Sequence, residues 1–135
     1  FRQIKDIKQG ADFITENGNL IKNEILTTPS VPPRKYAYCS DTAYFPEIIP
    51  YIQNANVLYH EATFAEAEGI RAQETFHSTA RQAAEIAKAA NVKKLIIGHF
   101  SSRYNELDEL LNEGQTVFPN TALAFEGMNI NIESQ

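Results

Sequence analysis

Three short apolar runs in this chain end in side chains that hold metals or move protons. Leu95-Ile96-Ile97-Gly98 leads into His99, with Phe100, Ser101, Ser102, Arg103 and Tyr104 behind it. Tyr36-Ala37-Tyr38-Cys39 runs into Ser40-Asp41-Thr42, and Asn56-Val57-Leu58-Tyr59 into His60-Glu61-Ala62-Thr63. A hydrolytic metal site needs neutral imidazoles and carboxylates, with one position left open for water. Imidazole also suits proton transfer near neutral pH, and Arg103 offers a planar fork for a phosphate or carboxylate. Asp41 and His99 read as metal ligands. Two ligands do not make a site, so the spacing implies further donors outside this chain. Each residue taken singly has a plainer use: a helix N-cap for Asp41, a core position for His60, a solvated charge for Glu61. His77 could simply donate to a carbonyl, and Arg103 could pair with one of the 17 acidic residues.

These residues need elements that bring them together. Residues 35–40, 56–59 and 93–98 read as strands, and the stretches between them as helices. A short helix is expected over 44–53, where Pro46 is tolerated in the first turn. A second opens at Thr79-Ala80-Arg81-Gln82, which has the form of a capping box. It runs to Ala90 with an alanine stripe at positions 80, 83, 84, 87 and 90, allowing close approach to a sheet. A third begins near Asn105, with Leu107, Leu110 and Leu111 on one face and Gly114 as its stop. Residues 121–125 and 128–132 read as closing strands. Alternation of strand and helix predicts parallel neighbours joined by right-handed crossovers. The strand ends then share one edge, where ligands of open α/β sheets bind. Before this core, residues 11–24 read as a hairpin around Asn17-Gly18, extending into 25–28, and Pro29-Ser30-Val31-Pro32-Pro33 breaks regular structure.

With 135 residues, 43% of them hydrophobic and 21% charged, the chain has the size and composition of one ordinary globular domain. Residues 1–33 form its lead-in and residues 34–135 an α/β core carrying the motifs. No apolar run approaches the roughly 20 residues needed to cross a bilayer. A single cysteine, Cys39, rules out an internal disulfide and suits a reducing, cytoplasmic setting. The net charge of −5 argues against a basic nucleic-acid-binding surface in this stretch. The chain opens at Phe1 without an initiator Met, as expected of a processed product or a fragment.

Four segments together carry a more specific message: Tyr38-Cys39-Ser40-Asp41-Thr42, Tyr59-His60-Glu61-Ala62-Thr63-Phe64, His77-Ser78-Thr79-Ala80 and Gly98-His99-Phe100-Ser101-Ser102-Arg103-Tyr104. In order and spacing they resemble ribonuclease Z, the zinc-dependent endoribonuclease that removes 3′ trailers from precursor tRNA. The resemblance implies the C-terminal half of a metallo-β-lactamase four-layer αβ/βα sandwich, a mixed sheet with helices over one face. It implies that Asp41 bridges two zinc ions, with manganese as the other usable metal, and that His99 ligates one of them. His60 would be the proton donor to the leaving 3′ oxygen. Arg103, with His77 and Ser78, would face the substrate, and Glu61 and Thr63 would orient His60. The family's His-x-His-x-Asp-His motif, its further ligand His and its basic arm do not occur here. The resemblance therefore implies one part of a homodimeric cytoplasmic enzyme, inactive alone, and half a sandwich that exposes apolar sheet surface. The competing expectations are a phosphodiesterase or arylsulfatase of the same fold acting on small esters, and a non-catalytic binding module.

Overall fold

A computed structural model of the chain describes residues 2–28 and 31–132. Phe1 and the Pro29-Ser30 part of the expected break lie outside the described residues. The chain divides into two compact units, Phe1–Pro32 and Pro33–Gln135.

The first unit holds helix α1 (Arg2–Lys8), the antiparallel strands β1 (Phe13–Ile14) and β2 (Leu20–Ile21), and the short helix α2 (Asn23–Leu26). The hairpin turn forms where Asn17-Gly18 predicts it, because Gly18 adopts a φ of +79° at no steric cost. The expected extension of the hairpin over residues 25–28 does not occur. Asp12 Oδ1 accepts the Asn23 N–H at 2.8 Å, and the Asn23 carbonyl accepts from Thr27 N at 3.0 Å, which closes a helical turn instead. Helix α1, seven residues long, is a further element too short for its periodicity to show.

The second unit is built on a four-stranded sheet in the order β3 (Tyr36–Cys39), β4 (Val57–Glu61), β5 (Lys94–Gly98), β6 (Thr121–Leu123). Every pairing in it is parallel, with Cys39 opposite His60 and Glu61 opposite Gly98. Antiparallel pairing among the described residues is confined to the hairpin of the first unit. Between β3 and β4 the expected helix is a 3-10 turn (Pro46–Ile48) running into α3 (Ile49–Ile52). Pro50 falls within that helix's first turn, where its missing N–H is tolerated. After β4 comes a 3-10 turn (Glu66–Glu68) and α4 (Gly69–Glu74), a single helical stretch too short to show a period.

Helix α5 (Ala80–Ala89) begins with the expected capping box: Thr79 Oγ1 accepts from Gln82 N and Gln82 Oε1 from Thr79 N. Ala80, Ala83, Ala84 and Ala87 are fully buried, so small side chains let α5 sit close on the sheet. It packs in one core with Leu58, Leu95 and Ile97. Helix α6 (Asp108–Val117) starts three residues later than expected and does not stop at Gly114. Gly114 is a packing glycine: a methyl there would lie 3.1 Å from Thr121 Cγ2 on β6. Residues 128–132 form no strand; the turn at Gly127, with φ +80°, precedes them, and Ile132 O accepts from the Arg34 side chain. The sheet face away from α5 shows exposed Tyr36 and Tyr38, the latter stacked on Tyr59 with ring centroids 4.6 Å apart. No helix among the described residues is long and apolar enough to cross a membrane.

Candidate metal centre

The parallel register brings the carboxyl ends of β3, β4 and β5 to one edge, and the chain reverses sharply just beyond two of them. Asp41 and His99 each adopt left-handed backbone, with φ of 55° and 61°, and Phe76 before His77 does the same at 59°. Such conformations cost about 1–3 kcal/mol each for ordinary residues and cluster where function holds them. They aim three side chains at one point. Asp41 Oδ1 lies 3.7 Å from His99 Nε2 and 3.8 Å from His77 Nδ1. The two imidazoles face each other with centroids 5.3 Å apart. One ligand atom from each of the three residues falls within a 4.8 Å sphere of separation. A carboxylate and two imidazoles form a donor set that fits a divalent cation such as zinc.

A fully buried carboxylate supports this cluster. Glu61 Oε1 accepts from His77 Nδ1 at 2.8 Å and Thr42 N at 3.1 Å. Its Oε2 accepts from the Thr63 hydroxyl at 2.7 Å, Thr63 N at 3.1 Å and Ser78 N at 3.2 Å. Burial pushes the Glu61 carboxyl up, but the bonds from Thr63, His77 and Ser78 outweigh it and hold the group below its ordinary value. The carboxylate thus joins the loops after β3 and β4 to the segment before α5. Thr63 continues the chain of bonds: its hydroxyl also meets His99 Nδ1 and His99 O, each at 3.0 Å. Its carbonyl accepts Ser101 N at 3.1 Å, and Tyr104 Oη accepts Ala65 N at 2.9 Å.

The expected site residues fall into two groups. Asp41, His77 and His99 come together, and Glu61 and Thr63 stand directly behind them. His60 does not join. It is 1% exposed, and its Nδ1 meets the main-chain carbonyl of Glu61 at 2.7 Å. Burial pushes its imidazole pKa down, against the pull of that carbonyl and of the Glu61 charge. A ring so enclosed has no open edge toward a leaving oxygen, so the geometry does not support a proton donor at His60. Nor do the Glu61 and Thr63 side chains orient it, since their bonds go to His77 and His99. Ser78 is also fully buried and its hydroxyl donates to Thr42 O at 2.8 Å, which steadies the Asp41 loop rather than facing a substrate. Arg103 pairs with Glu68 Oε2 at 3.5 Å while remaining half exposed, and no ion pair joins it to Asp41 among the described residues. Strand parity carried a signal for this sorting. Leu58, His60 and Ala62 share the face that α5 covers, whereas Glu61 shares the other face with Tyr59.

Residues 30–100 match the family model described as a Beta-lactamase superfamily domain. Over 97% of its length the chain is 56% identical to a protein of Parabacteroides distasonis named Ribonuclease Z, of which it spans 43%. Among solved structures it resembles the metallo-beta-lactamase fold protein YhfI from Bacillus subtilis, with TM-score 0.64 and 28% identity over 69% of this chain and 38% of that one. It also resembles the short form of human tRNase Z, with TM-score 0.53 and 30% identity over 70% of this chain and 30% of that one. The chain spans about two-fifths of the length of the curated relative it matches. The fold is that expected from the sequence, and with more than half of its residues matched by the family model the chain belongs to the beta-lactamase superfamily.

Proposed function

We propose that this chain supplies one wall of the active site of a metal-dependent endoribonuclease that removes the 3′ trailer from precursor tRNA. The observation that carries this reading is the Asp41–His77–His99 cluster backed by the buried Glu61. The similarity to a ribonuclease Z and to a tRNase Z supports the choice of substrate. Asp41 and His99 are the residues that would hold the cation, zinc or manganese, with its other ligands coming from protein outside this chain. A cation held there supplies Lewis acidity and activates water for an in-line displacement.

The chain's own residues supply positioning and a proton. Glu61 accepts from His77 Nδ1–H; when the ring carries a second proton at Nε2, that proton passes to the leaving 3′ oxygen and the ring returns to its neutral Nδ1–H form. The role that the resemblance assigns to His60 therefore passes to His77. Arg103, half exposed and held among the described residues by Glu68, can exchange that carboxylate for a substrate phosphate. Precursor tRNA as partner, a homodimer and a cytoplasmic setting belong to the same proposal; the one cysteine, buried and unpaired, agrees with a reducing compartment.

The test is cleavage of a 3′-extended precursor tRNA in Zn2+ or Mn2+. It compares this chain alone with this chain mixed with the complementary part of a ribonuclease Z. Activity is expected only in the mixture. There, His77→Ala should slow cleavage by about 10²-fold or more, and His60→Gln in a folded protein should leave the chemical step near its original rate. An assembled mixture that hydrolyses small phosphodiesters but leaves the tRNA precursor intact would overturn the assigned substrate.

A further inference from the structure

The Thr63 hydroxyl has one hydrogen and three partners, and its surroundings decide where that hydrogen goes. Glu61 Oε2, at 2.7 Å, already accepts from Thr63 N and Ser78 N and has no place for a proton of its own. The second partner, the His99 carbonyl at 3.0 Å, also can only accept. The third is His99 Nδ1 at 3.0 Å, which can do either. If the hydroxyl donated to Nδ1, its lone pairs would face two oxygen acceptors in a buried setting, each losing a bond. If it donates to oxygen, the shortest and charge-assisted bond to Glu61 forms, and a lone pair is left for an N–H from the ring.

We infer that Thr63 is a positioning residue that fixes His99 as its Nδ1–H tautomer, so that the Nε2 lone pair points at Asp41. This rests on the reading of Asp41 and His99 as cation holders, and it gives that reading a mechanism of assembly. One carboxylate then sets two rings: Glu61 acts on His77 directly through Oε1, and on His99 through the Thr63 hydroxyl on Oε2. The left-handed backbone at His99 serves the same end, since it turns the ring back over Thr63 instead of onward along the strand. A metal-binding imidazole commonly has its second nitrogen held this way, and loss of the holding group weakens metal binding by about 10–100-fold.

The experiment reads the tautomer directly. Long-range 1H–15N correlation spectra of the 15N-labelled chain, metal-free and at mildly alkaline pH, should show His99 protonated at Nδ1 and bare at Nε2. In Thr63→Val, which keeps the shape and loses the hydroxyl, that preference should be lost, and Thr63→Ser should restore it. Zn2+ affinity of the chain assembled with the complementary part of a ribonuclease Z, measured by competition with a chromophoric chelator, should fall about 10–100-fold in the valine variant and recover in the serine variant. A wild-type His99 protonated at Nε2 overturns the inference, whether or not any variant folds. A folded valine variant with an unchanged tautomer also overturns it. A wild-type chain with the Nδ1–H form whose assembled mixture with the complementary part does not take up Zn2+ would support the relay and count against the metal-holding reading, because the tautomer is read without metal.

Discussion

The two ends of the parallel sheet use the same backbone devices for opposite purposes. At the amino ends of β4 and β5, Asn54 and Asn91 have φ of 57° and 51°, and Asn91 Nδ2 donates to Asn54 Oδ1 at 2.8 Å. Asparagine tolerates the left-handed region better than most residues, and each side chain there is used to hold the other. Asn56 Oδ1 accepts Lys35 N at 2.8 Å, and Asn120 reaches Lys93 O, so that edge is stitched by amides. At the carboxyl ends the left-handed positions are Asp41, Phe76 and His99; Asp and His tolerate that region better than most residues, but a Phe has no conformational reason to be there. The polar groups converge on a buried charge rather than on neutral amides. The first edge is satisfied within itself. The second carries strain and leaves ligand atoms facing outward, which distinguishes a site from a scaffold.

The comparison breaks most visibly at Glu61. Glu61→Ala leaves five donors without their acceptor and should cost about 3–5 kcal/mol of stability, read from the urea midpoint. Asn56→Ala, at the scaffold edge, should cost only about 1–2 kcal/mol. Equal losses at the two positions would remove the contrast between the edges.

Next in size is Gly98→Ala. A methyl there would lie 2.5 Å from Tyr59 Oη and 2.9 Å from the ring, so Tyr59 must leave its stack on Tyr38. The expected loss is about 1–3 kcal/mol, with a changed near-ultraviolet signal from the tyrosine pair. An unperturbed signal would show that the glycine is not needed for that contact.

The pH effect near neutrality should come from the site edge, which carries all three histidines. Burial lowers the His60 pKa, so the unfolded chain binds that proton more readily than the folded one. Stability should therefore fall as pH drops below about 6.5, by at most about 1.4 kcal/mol per unit for this group. His60→Gln should flatten that limb of a stability–pH curve. A curve of unchanged slope would mean that another group titrates there.

The smallest effect sharpens the strain argument. Phe76 is 75% exposed and held left-handed, so Phe76→Gly should raise stability by about 1 kcal/mol. Asn54→Gly should change it by less than about 0.5 kcal/mol, and a gain there as large as at Phe76 would show that the two edges are equally strained.

Much of this could be read directly. The strands at 36–39, 57–61 and 94–98 announce themselves by apolar runs, and the capping box at Thr79 by its spacing. Helices α1, α2 and α4 were not legible, because elements of four to seven residues complete too few turns to establish a period. Gly114 looked like a stop because glycine usually ends helices, yet here Thr121 across the interface requires its lack of a side chain. Asp41 and His99, read together as ligands, stand 3.7 Å apart across two strand ends. His60, expected as the proton donor, is enclosed on the face that strand parity gives to α5, and His77, expected to face the substrate, is the ring that Glu61 holds.

What the sequence determined by itself is the set of chemical groups and their order: strands that end in Asp, His-Glu and His, helices that need small residues, and a turn that needs glycine. Local propensity and periodicity act over a few residues, and those features need no more. Which histidine meets Glu61, and whether Thr63 serves His60 beside it or His99 across the sheet, was decided only by the tertiary structure. Those bonds link residues 16 and 36 positions apart, and they exist only once parallel pairing has set the register of three strands.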